Sequence, residues 1–148
     1  MKNNKKLSSS QEDYLEAILL LEKEKRVARV KDIANMLDVQ MPSVTGALKN
    51  LRSHGLISYE KNSYITLTIE GEKIAECILS RHKAILGFFN VLGLEGKWVE
   101  EQACSIEHSI NLETSQRLKK LTEWIIKTVF EEKKMTRDDW QNLLHQDL

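Results

Sequence analysis

Cys104, Glu107 and His108 are the residues whose types and spacing are best suited to chemistry. They occupy positions i, i+3 and i+4, which share one face of a helix. A thiol, a carboxylate and an imidazole can all ligate a divalent transition metal. The spacing therefore predicts metal ligands on this helix, although a cysteine is also a common small core residue.

Two other predicted helices carry further donor side chains. Asp13 and Glu16 are spaced i, i+3 near the amino terminus, and His82 lies near the middle of the chain. Three helices can thus each direct donors to one place, and such a donor set suffices for one or two ions. Each residue alone has an ordinary alternative role, such as a carboxylate beside the positive start of a helix. The prediction therefore depends on their combination.

Capping residues and apolar spacing predict the helices that precede this helix. Ser9-Ser10-Gln11-Glu12 resembles a capping box and predicts a helix over residues 10–25. Residues 30–37 have the apolar spacing of a short second helix, and residues 38–40 form the predicted turn. Pro42 suits the first turn of a third helix, which should end at His54-Gly55. Two short helices and a tight turn predict a helix-turn-helix.

The rest of the chain predicts a hairpin and further helices. Residues 56–60 and 64–68 are rich in branched and aromatic side chains, and the turn-forming residues 61–63 separate them. Apolar spacing then predicts helices over residues 69–93 and 98–110 and a further helix that contains Leu118 to Val129, and Trp140, Leu143 and Leu144 indicate a last short one. The predicted fold is mainly α, with a winged helix-turn-helix domain and its small β-hairpin wing at residues 1–72. A helical metal-binding and dimerisation domain is predicted at residues 73–148.

The order of helices and hairpin predicts contact with double-stranded DNA, because the third helix of a winged helix enters the major groove and the wing touches flanking backbone. The short polar side chains at the start of this helix suit phosphate or groove contacts. Small three-helix units also serve as protein-docking modules, which is the alternative. The residues predicted to contact DNA are Arg29, Gln40, Met41, Pro42, Ser43, Thr45, Gly46, Lys49 and Lys61.

Composition excludes several classes of protein. The 148 residues are 41% hydrophobic and 30% charged with a formal net charge of zero, as in an ordinary globular protein. Cys77 and Cys104 lack the CxxC spacing of a zinc ribbon and are too few for a disulfide framework. The longest apolar run, Ala17 to Leu21, is far shorter than the roughly 20 residues of a membrane span. A cytoplasmic protein is expected. A homodimer is also expected, because small domains often need a partner to bury a sufficient core.

Several motifs together resemble the diphtheria toxin repressor and manganese transport regulator family. The resemblance runs in register from about residue 8 to residue 130. It rests on Ser10 to Ile18, Val30 to Leu37, Pro42 to Thr45, Leu67-Thr68-x-x-Gly71, Arg81-His82 and Ala103 to His108. The resemblance implies that residues up to about 70 bind operator DNA and that the following helices hold metal and form a homodimer. It also implies repression of metal-uptake genes when the ion is plentiful.

The motif positions make the chain a hybrid of two branches of that family. Five residues match metal ligands of the manganese-type branch, whereas Cys104 stands where that branch has Glu and the iron-type branch has Cys. The five are Asp13, Glu16, His82, Glu107 and His108. The iron-type branch usually has Met at position 13 and an acid where this chain has Leu86, and its SH3-like domain has no counterpart in these 148 residues. Gly46 stands where members of this family have a longer polar side chain in the recognition helix.

These observations favour a metal-dependent DNA-binding repressor with the divalent metal as co-repressor. Sulfur at position 104 favours Fe(II), with Mn(II) as the alternative. A winged-helix regulator that senses an organic ligand or redox state through Cys104 is the alternative function. A metallohydrolase with Glu107 as base is a third hypothesis, but the sequence shows no HExxH motif or nucleophile. No enzyme activity, catalytic residue, organic cofactor, small organic substrate or membrane association is expected.

Overall fold

The computed structural model describes residues 7–59 and 64–145. The chain divides into two compact units, Met1–Leu79 and Ser80–Leu148. Both units are mainly helical, as the sequence predicts, and the first contains the small hairpin. The domain boundary predicted between residues 72 and 73 stays a prediction.

The first unit begins with helix α1, Ser9–Lys25. Its capping box lies one residue earlier than predicted: the Ser8 hydroxyl accepts from the Gln11 amide at 3.3 Å, and the Gln11 side chain accepts from the Ser8 amide at 2.8 Å. A Gln at the third helical position can close this pair as well as a Glu. The buried face of α1 includes Leu15, Ile18 and Leu19, which belong to the core of this unit.

Helices α2, Val30–Met36, and α3, Met41–Ser53, form the predicted helix-turn-helix. Pro42 lies in the first turn of α3, where its missing N–H removes no helical hydrogen bond. Val44, Leu48 and Leu51 are fully buried and hold α3 against the core. The opposite face of α3 is exposed.

The wing is a two-stranded antiparallel hairpin that is shorter than predicted. Strand β1, Ile57–Ser58, pairs with β2, Thr66–Leu67, and Ile65 instead forms a bridge with Ala28. Thr68 is not in the strand, because its hydroxyl accepts from the Gly71 amide at 3.1 Å and donates to the Gly55 carbonyl at 2.8 Å. Through the bond with Gly71, Thr68 caps the start of the next helix instead of extending the strand. The turn predicted at residues 61–63 lies outside the described residues.

Helix α4, Ile69–Val91, passes from the first unit into the second. Its first turn approaches the hairpin so closely that a Cβ at Gly71 would overlap the carbonyl oxygen of Leu56. Only glycine fits at position 71, because there is no room for a Cβ atom.

The second unit continues with α5, Lys97–Glu107, and α6, Leu112–Ile125. A π-helical turn, Ile126–Glu131, and helix α7, Arg137–His145, follow. The Trp140 indole N–H donates to the carbonyl of Val91 at 2.8 Å and ties α7 to the end of α4. Helix α5 ends at Glu107, earlier than the predicted residue 110, and α6 contains Leu118, Leu121 and Trp124 of the predicted sixth helix.

The buried faces of α5 and α6 include polar side chains. Helix α5 buries Val99, Ala103 and Glu107 at spacings of four. Helix α6 buries Ser115 and Thr122, whose hydroxyls donate to carbonyls of their own helix and so lose no hydrogen bond on burial. The large apolar side chains Trp98, Ile106, Leu112, Leu121 and Trp124 are exposed instead.

Among residues 7–59 and 64–145, none of the helices combines the length and hydrophobicity that crossing a membrane requires.

Candidate metal centre and DNA-binding surface

Donor side chains from α4 and α5 converge within the second unit. His82 belongs to α4, Cys104 and Glu107 belong to α5, and His108 is the C-cap residue of α5. The ligand atoms of Cys104, Glu107 and His108 lie within 4.8 Å of one another. The Nδ1 atom of His82 lies 2.6 Å from Oε2 of Glu107. All four residues that the sequence predicts as ligands in this unit are therefore brought together.

Glu107 lies at the centre of this group, and its side chain is 0% exposed. Among the residues described, its Oε1 atom is buried without a hydrogen-bond partner. That oxygen lies 3.6 Å from His108 Nε2, and the His108 side chain is itself only 9% exposed. Burying a carboxylate oxygen without a partner is costly, so such an atom in a folded protein requires a physical reason. A cation bound at this oxygen would supply one.

The chemistry of the donors fits a transition metal. The group combines a sulfur, two imidazole nitrogens and a carboxylate, a mixture that suits Fe(II), Co(II) or Zn(II) better than an oxygen-preferring ion such as Mg²⁺. Cys104 is half-buried, so its sulfur is not simply a core filler. The residues present therefore fit a bound metal ion.

Asp13 and Glu16 belong to α1 in the first unit and are both half-buried. Their i, i+3 spacing places both carboxylates on one side of that helix, next to its buried face. Their role as ligands stays a prediction.

Glu100 is a neighbour of the centre that the sequence reasoning missed. Its Oε2 atom lies 3.4 Å from Nε2 of His82, on the side of the ring away from Glu107. The available signal was its position four residues before Cys104, which places the two side chains on the same face of α5.

The predicted DNA-contacting residues of α3 and its entry lie on the surface of the first unit. Gln40, Met41, Pro42, Ser43, Gly46 and Lys49 are exposed. Thr45 is half-buried, and its hydroxyl donates to the Met41 carbonyl at 3.1 Å. That hydrogen bond leaves the hydroxyl less free for a phosphate or base.

Arg29 is also exposed and lies beside the wing. Its guanidinium carbon is 5.2 Å from the centre of the Tyr64 ring, and its Nη2 donates to the Tyr64 hydroxyl at 3.4 Å. Tyr64 was not among the predicted contacts, although it is the aromatic residue at the start of the second predicted strand. The pair places a cation over the face of an aromatic ring beside the second strand of the wing. Lys61, the remaining predicted DNA contact, lies outside the described residues.

Comparison with protein families assigns both parts of the chain. Residues 6–64 match the N-terminal DNA-binding domain of iron dependent repressors. Residues 68–125 match the metal binding and dimerisation domain of the same repressors.

Curated relatives cover most of the chain. An HTH-type transcriptional regulator of Methanocaldococcus jannaschii is 40% identical over 115 residues, which are 76% of this chain and 92% of the relative. The HTH-type transcriptional regulator MntR of Shouchella clausii is 32% identical over 134 residues, or 90% of each chain.

Two solved structures share the fold. One is IdeR of T. acidophilum, with a TM-score of 0.64 and 29% identity over 77% of this chain. The other is the manganese regulator SloR, with a TM-score of 0.68 and 28% identity over 77% of this chain. The chain spans about half of each solved chain, 53% and 54% respectively. With a winged helix-turn-helix, a helical unit that gathers transition-metal donors, and family matches along most of its length, the chain belongs to the diphtheria toxin repressor and manganese transport regulator family of metal-dependent transcriptional regulators.

Proposed function

We propose that the protein represses genes of iron or manganese homeostasis by binding double-stranded operator DNA as a homodimer, with a divalent transition metal as co-repressor. The observation that carries the proposal is buried Glu107, whose unpartnered oxygen faces imidazole and thiol donors within the described part of the second unit. Burial of this carboxylate is unfavourable without a cation and becomes favourable when a cation neutralises its charge.

The proposed ligands are the six residues predicted from the sequence: Asp13, Glu16, His82, Cys104, Glu107 and His108. A bound ion would supply positive charge among these donors. Because Asp13 and Glu16 belong to the unit that carries α3, their participation would couple occupancy of the centre to the position of the recognition helix. A dimer must place its two recognition helices roughly 34–36 Å apart to meet half-sites one turn apart. Restricting that spacing is how occupancy would favour DNA binding.

DNA contact is assigned to the exposed start of α3 and to Arg29 beside the wing. Ser43 and the backbone N–H groups at the α3 start suit phosphate contacts, and Lys49 adds a cation one to two turns further along. Arg29, held against Tyr64, is placed to contact flanking backbone. Few of these side chains can bind a base through two hydrogen bonds, so the shape of the operator should contribute to specificity.

The proposed dimer interface lies on the second unit. Trp98 and Ile106 are exposed to 48% and 38%, and their i, i+8 spacing places them on the same face of α5. Leu121 and Trp124 add exposed apolar surface on α6. Exposed large apolar side chains in this number are typical of a protein interface.

For the metal itself, we propose Fe(II) as the activating ion and Mn(II) as a weaker substitute. Cys104 provides sulfur, which iron accepts more readily than manganese does. The carboxylates of the proposed set add hard oxygen donors that keep Mn(II) binding possible. The alternative of a sensor for an organic ligand or redox state is not favoured by the family matches, which assign the second unit to metal binding and dimerisation.

The test is a titration of labelled DNA, selected from a random-sequence pool, with metal-free protein and then with added Mn(II), Fe(II), Co(II) or Zn(II) under anaerobic conditions. We expect tight binding only with metal. Glu107→Gln keeps the side-chain shape and should lose metal-stimulated DNA binding, since it removes the central charge of the centre.

Lys49→Ala is the matched control, because it should weaken DNA binding and leave metal affinity unchanged. Equal DNA affinity of the metal-free and metal-loaded protein would contradict the co-repressor role. Identical behaviour of the two variants would contradict the separation of metal sensing from DNA contact.

A further inference from the structure

His82 lies between two carboxylates with different surroundings. Its Nδ1 lies 2.6 Å from Oε2 of Glu107, and its Nε2 lies 3.4 Å from Oε2 of Glu100. The Glu107 side chain is fully buried, whereas the Glu100 side chain is 63% exposed. The ring therefore has an inner nitrogen, which faces the centre, and an outer nitrogen, which faces the surface.

Helix α5 places both carboxylates by its own repeat. Glu100, Cys104 and Glu107 are spaced i, i+4, i+7 and so form one stripe along the helix. His82 lies against this stripe from α4 and spans from its last member to its first. Glu100 is thus held at the outer end of the same group of donors.

An imidazole binds a metal through the lone pair of one nitrogen while the other nitrogen keeps its proton. The protonated nitrogen almost always donates to a carboxylate, a carbonyl or water, and this bond sets the tautomer and the orientation of the ring. In His82 the inner Nδ1 is the nitrogen on the side of the donors, so with an ion bound at Nδ1 the outer Nε2 would keep the proton. Glu100 supplies an acceptor where that proton points.

We propose that Glu100 is a positioning residue for metal binding, which accepts the Nε2–H of His82 and so leaves the Nδ1 lone pair for the ion. Glu100 acts through His82 and is not itself a ligand. This inference rests on the proposed metal-dependent function.

The Glu100 side chain is 63% exposed, and a contact to such a solvated carboxylate contributes little to stability by itself. Removing Glu100 should therefore leave the melting temperature of the metal-free protein nearly unchanged while lowering its metal affinity. A residue with a merely structural role would change both together.

The experiment measures Co(II) affinity of the full chain by competition with a chelator. Substituting a residue that orients a ligand typically lowers metal affinity by about 10- to 100-fold, and we expect this for Glu100→Ala. Glu100→Gln retains a carbonyl oxygen that can accept from Nε2, so it should recover part of the loss. Equal losses for Glu100→Ala and Glu100→Gln would show a purely charge-based effect and overturn the proposal.

Glu101→Ala is the matched control. Glu101 is the next residue of α5, is similarly exposed at 67%, and pairs with Lys97 at 3.8 Å rather than with a histidine. It removes the same charge from the same helix, and we expect its Co(II) affinity to stay within about twofold of the parent. A loss as large as that of Glu100→Ala would overturn the positioning role.

Nitrogen NMR of the Zn(II)-loaded protein, labelled at histidine, gives an independent readout. We expect His82 to carry its proton on Nε2 and the ion on Nδ1, and the Nε2–H signal to weaken through faster exchange in Glu100→Ala. Zinc bound at Nε2 of His82, or the loss of a whole equivalent of zinc in Glu100→Ala, would overturn the proposal. Failure of this inference is distinct from failure of the proposed function, in which the unmodified chain itself would bind no metal.

Discussion

At the scale of single residues, Cys104 is the side chain through which the proposed centre would select its ion. It is half-buried and lies beside Glu107 and His108, so any ion held by those two residues is within reach of its sulfur. Manganese(II) prefers oxygen donors and forms the weakest complexes of the first-row divalent ions, whereas iron, cobalt and zinc accept sulfur. A substitution at position 104 therefore tests metal selectivity without changing the remaining donors.

We predict that Cys104→Glu raises the affinity for Mn(II) relative to Co(II) by about tenfold, which corresponds to about 1.4 kcal/mol. The reason is the replacement of a soft donor by a hard one at the same helical position. Anaerobic titration of both ions measures the ratio. Cys77→Glu, which adds the same side chain at the exposed cysteine of α4, is the control. A ratio that stays flat or falls in Cys104→Glu would mean that the sulfur has no part in selecting the ion.

At the scale of elements, recognition helix α3 carries a glycine that its geometry does not require. Gly46 lies in the interior of α3, and a Cβ there would meet no other atom of the described residues within 4 Å. Glycine inside a helix costs about 0.5–1 kcal/mol relative to alanine. The position is also on the exposed face that is proposed to approach DNA, so close approach of a bound duplex would explain a glycine there.

We predict that Gly46→Ala raises the free energy of unfolding by about 0.5–1 kcal/mol and leaves metal affinity unchanged. Chemical denaturation measures the stability, and DNA titration reports any change in affinity or sequence preference. Gly71→Ala is the contrasting variant, because its Cβ would overlap the Leu56 carbonyl and should destabilise the first unit. If both substitutions changed stability in the same direction, the packing argument at these two glycines would be wrong.

The contact between α1 and the wing contains a carboxyl group whose titration affects stability. Burial raises the pKa of Glu22 above 4.5, the charge of Glu72 raises it further, and the hydrogen bond from the Leu67 amide lowers it in part. That amide lies 3.2 Å from Oε1 of Glu22. Because folding raises this pKa, the folded state holds the proton more tightly than the unfolded state does.

Its stabilising contribution is therefore fully present below pH 4.5 and is lost as the pH rises through the raised folded pKa. We predict that Glu22→Gln, whose amide oxygen can still accept from Leu67, removes this loss. The melting temperature of the variant, compared with that of the parent, should increase as the pH rises from 4.5 to neutrality. Glu24→Gln, an exposed acid of the same helix, should show no such trend. A temperature difference for Glu22→Gln that is constant across this range would refute the linkage.

At the scale of the whole molecule, the proposed assembly depends on the exposed apolar face of the second unit. In a symmetric dimer the same patch of both copies forms the interface, so one substitution acts twice. Ile106 and Trp98 form a stripe on α5 that lies next to the buried Val99, Ala103 and Glu107. Dimer contact and metal contact would then use adjacent faces of the same helix.

We predict that Ile106→Glu raises the dimer dissociation constant by about 100-fold or more, because it places two charges in one apolar interface. Sedimentation at micromolar concentration measures the change. Lys119→Glu, a charge reversal on the exposed side of α6, should leave the dimer intact. A parent chain that is monomeric with and without metal would contradict the proposed assembly, and equal dissociation constants of both variants would place the interface elsewhere.

The sequence by itself determined the features that depend on local periodicity. The helix-turn-helix, the hairpin, and the shared face of Cys104, Glu107 and His108 all follow from spacing along one element. The repeat of a helix sets which side chains point the same way whatever surrounds them. The family resemblance was carried by these same local motifs, and the family matches confirm it.

Only the tertiary structure decided which of those faces are covered. In α5 and α6 the polar side chains of Glu107, Ser115 and Thr122 are buried, whereas the large apolar side chains of Trp98, Leu121 and Trp124 are exposed. The pairing of His82 with both Glu107 and Glu100 joins residues from two helices and likewise has no local signal. The physical reason is that a helix repeat fixes relative directions within one helix, whereas burial depends on which neighbouring helix packs against each face.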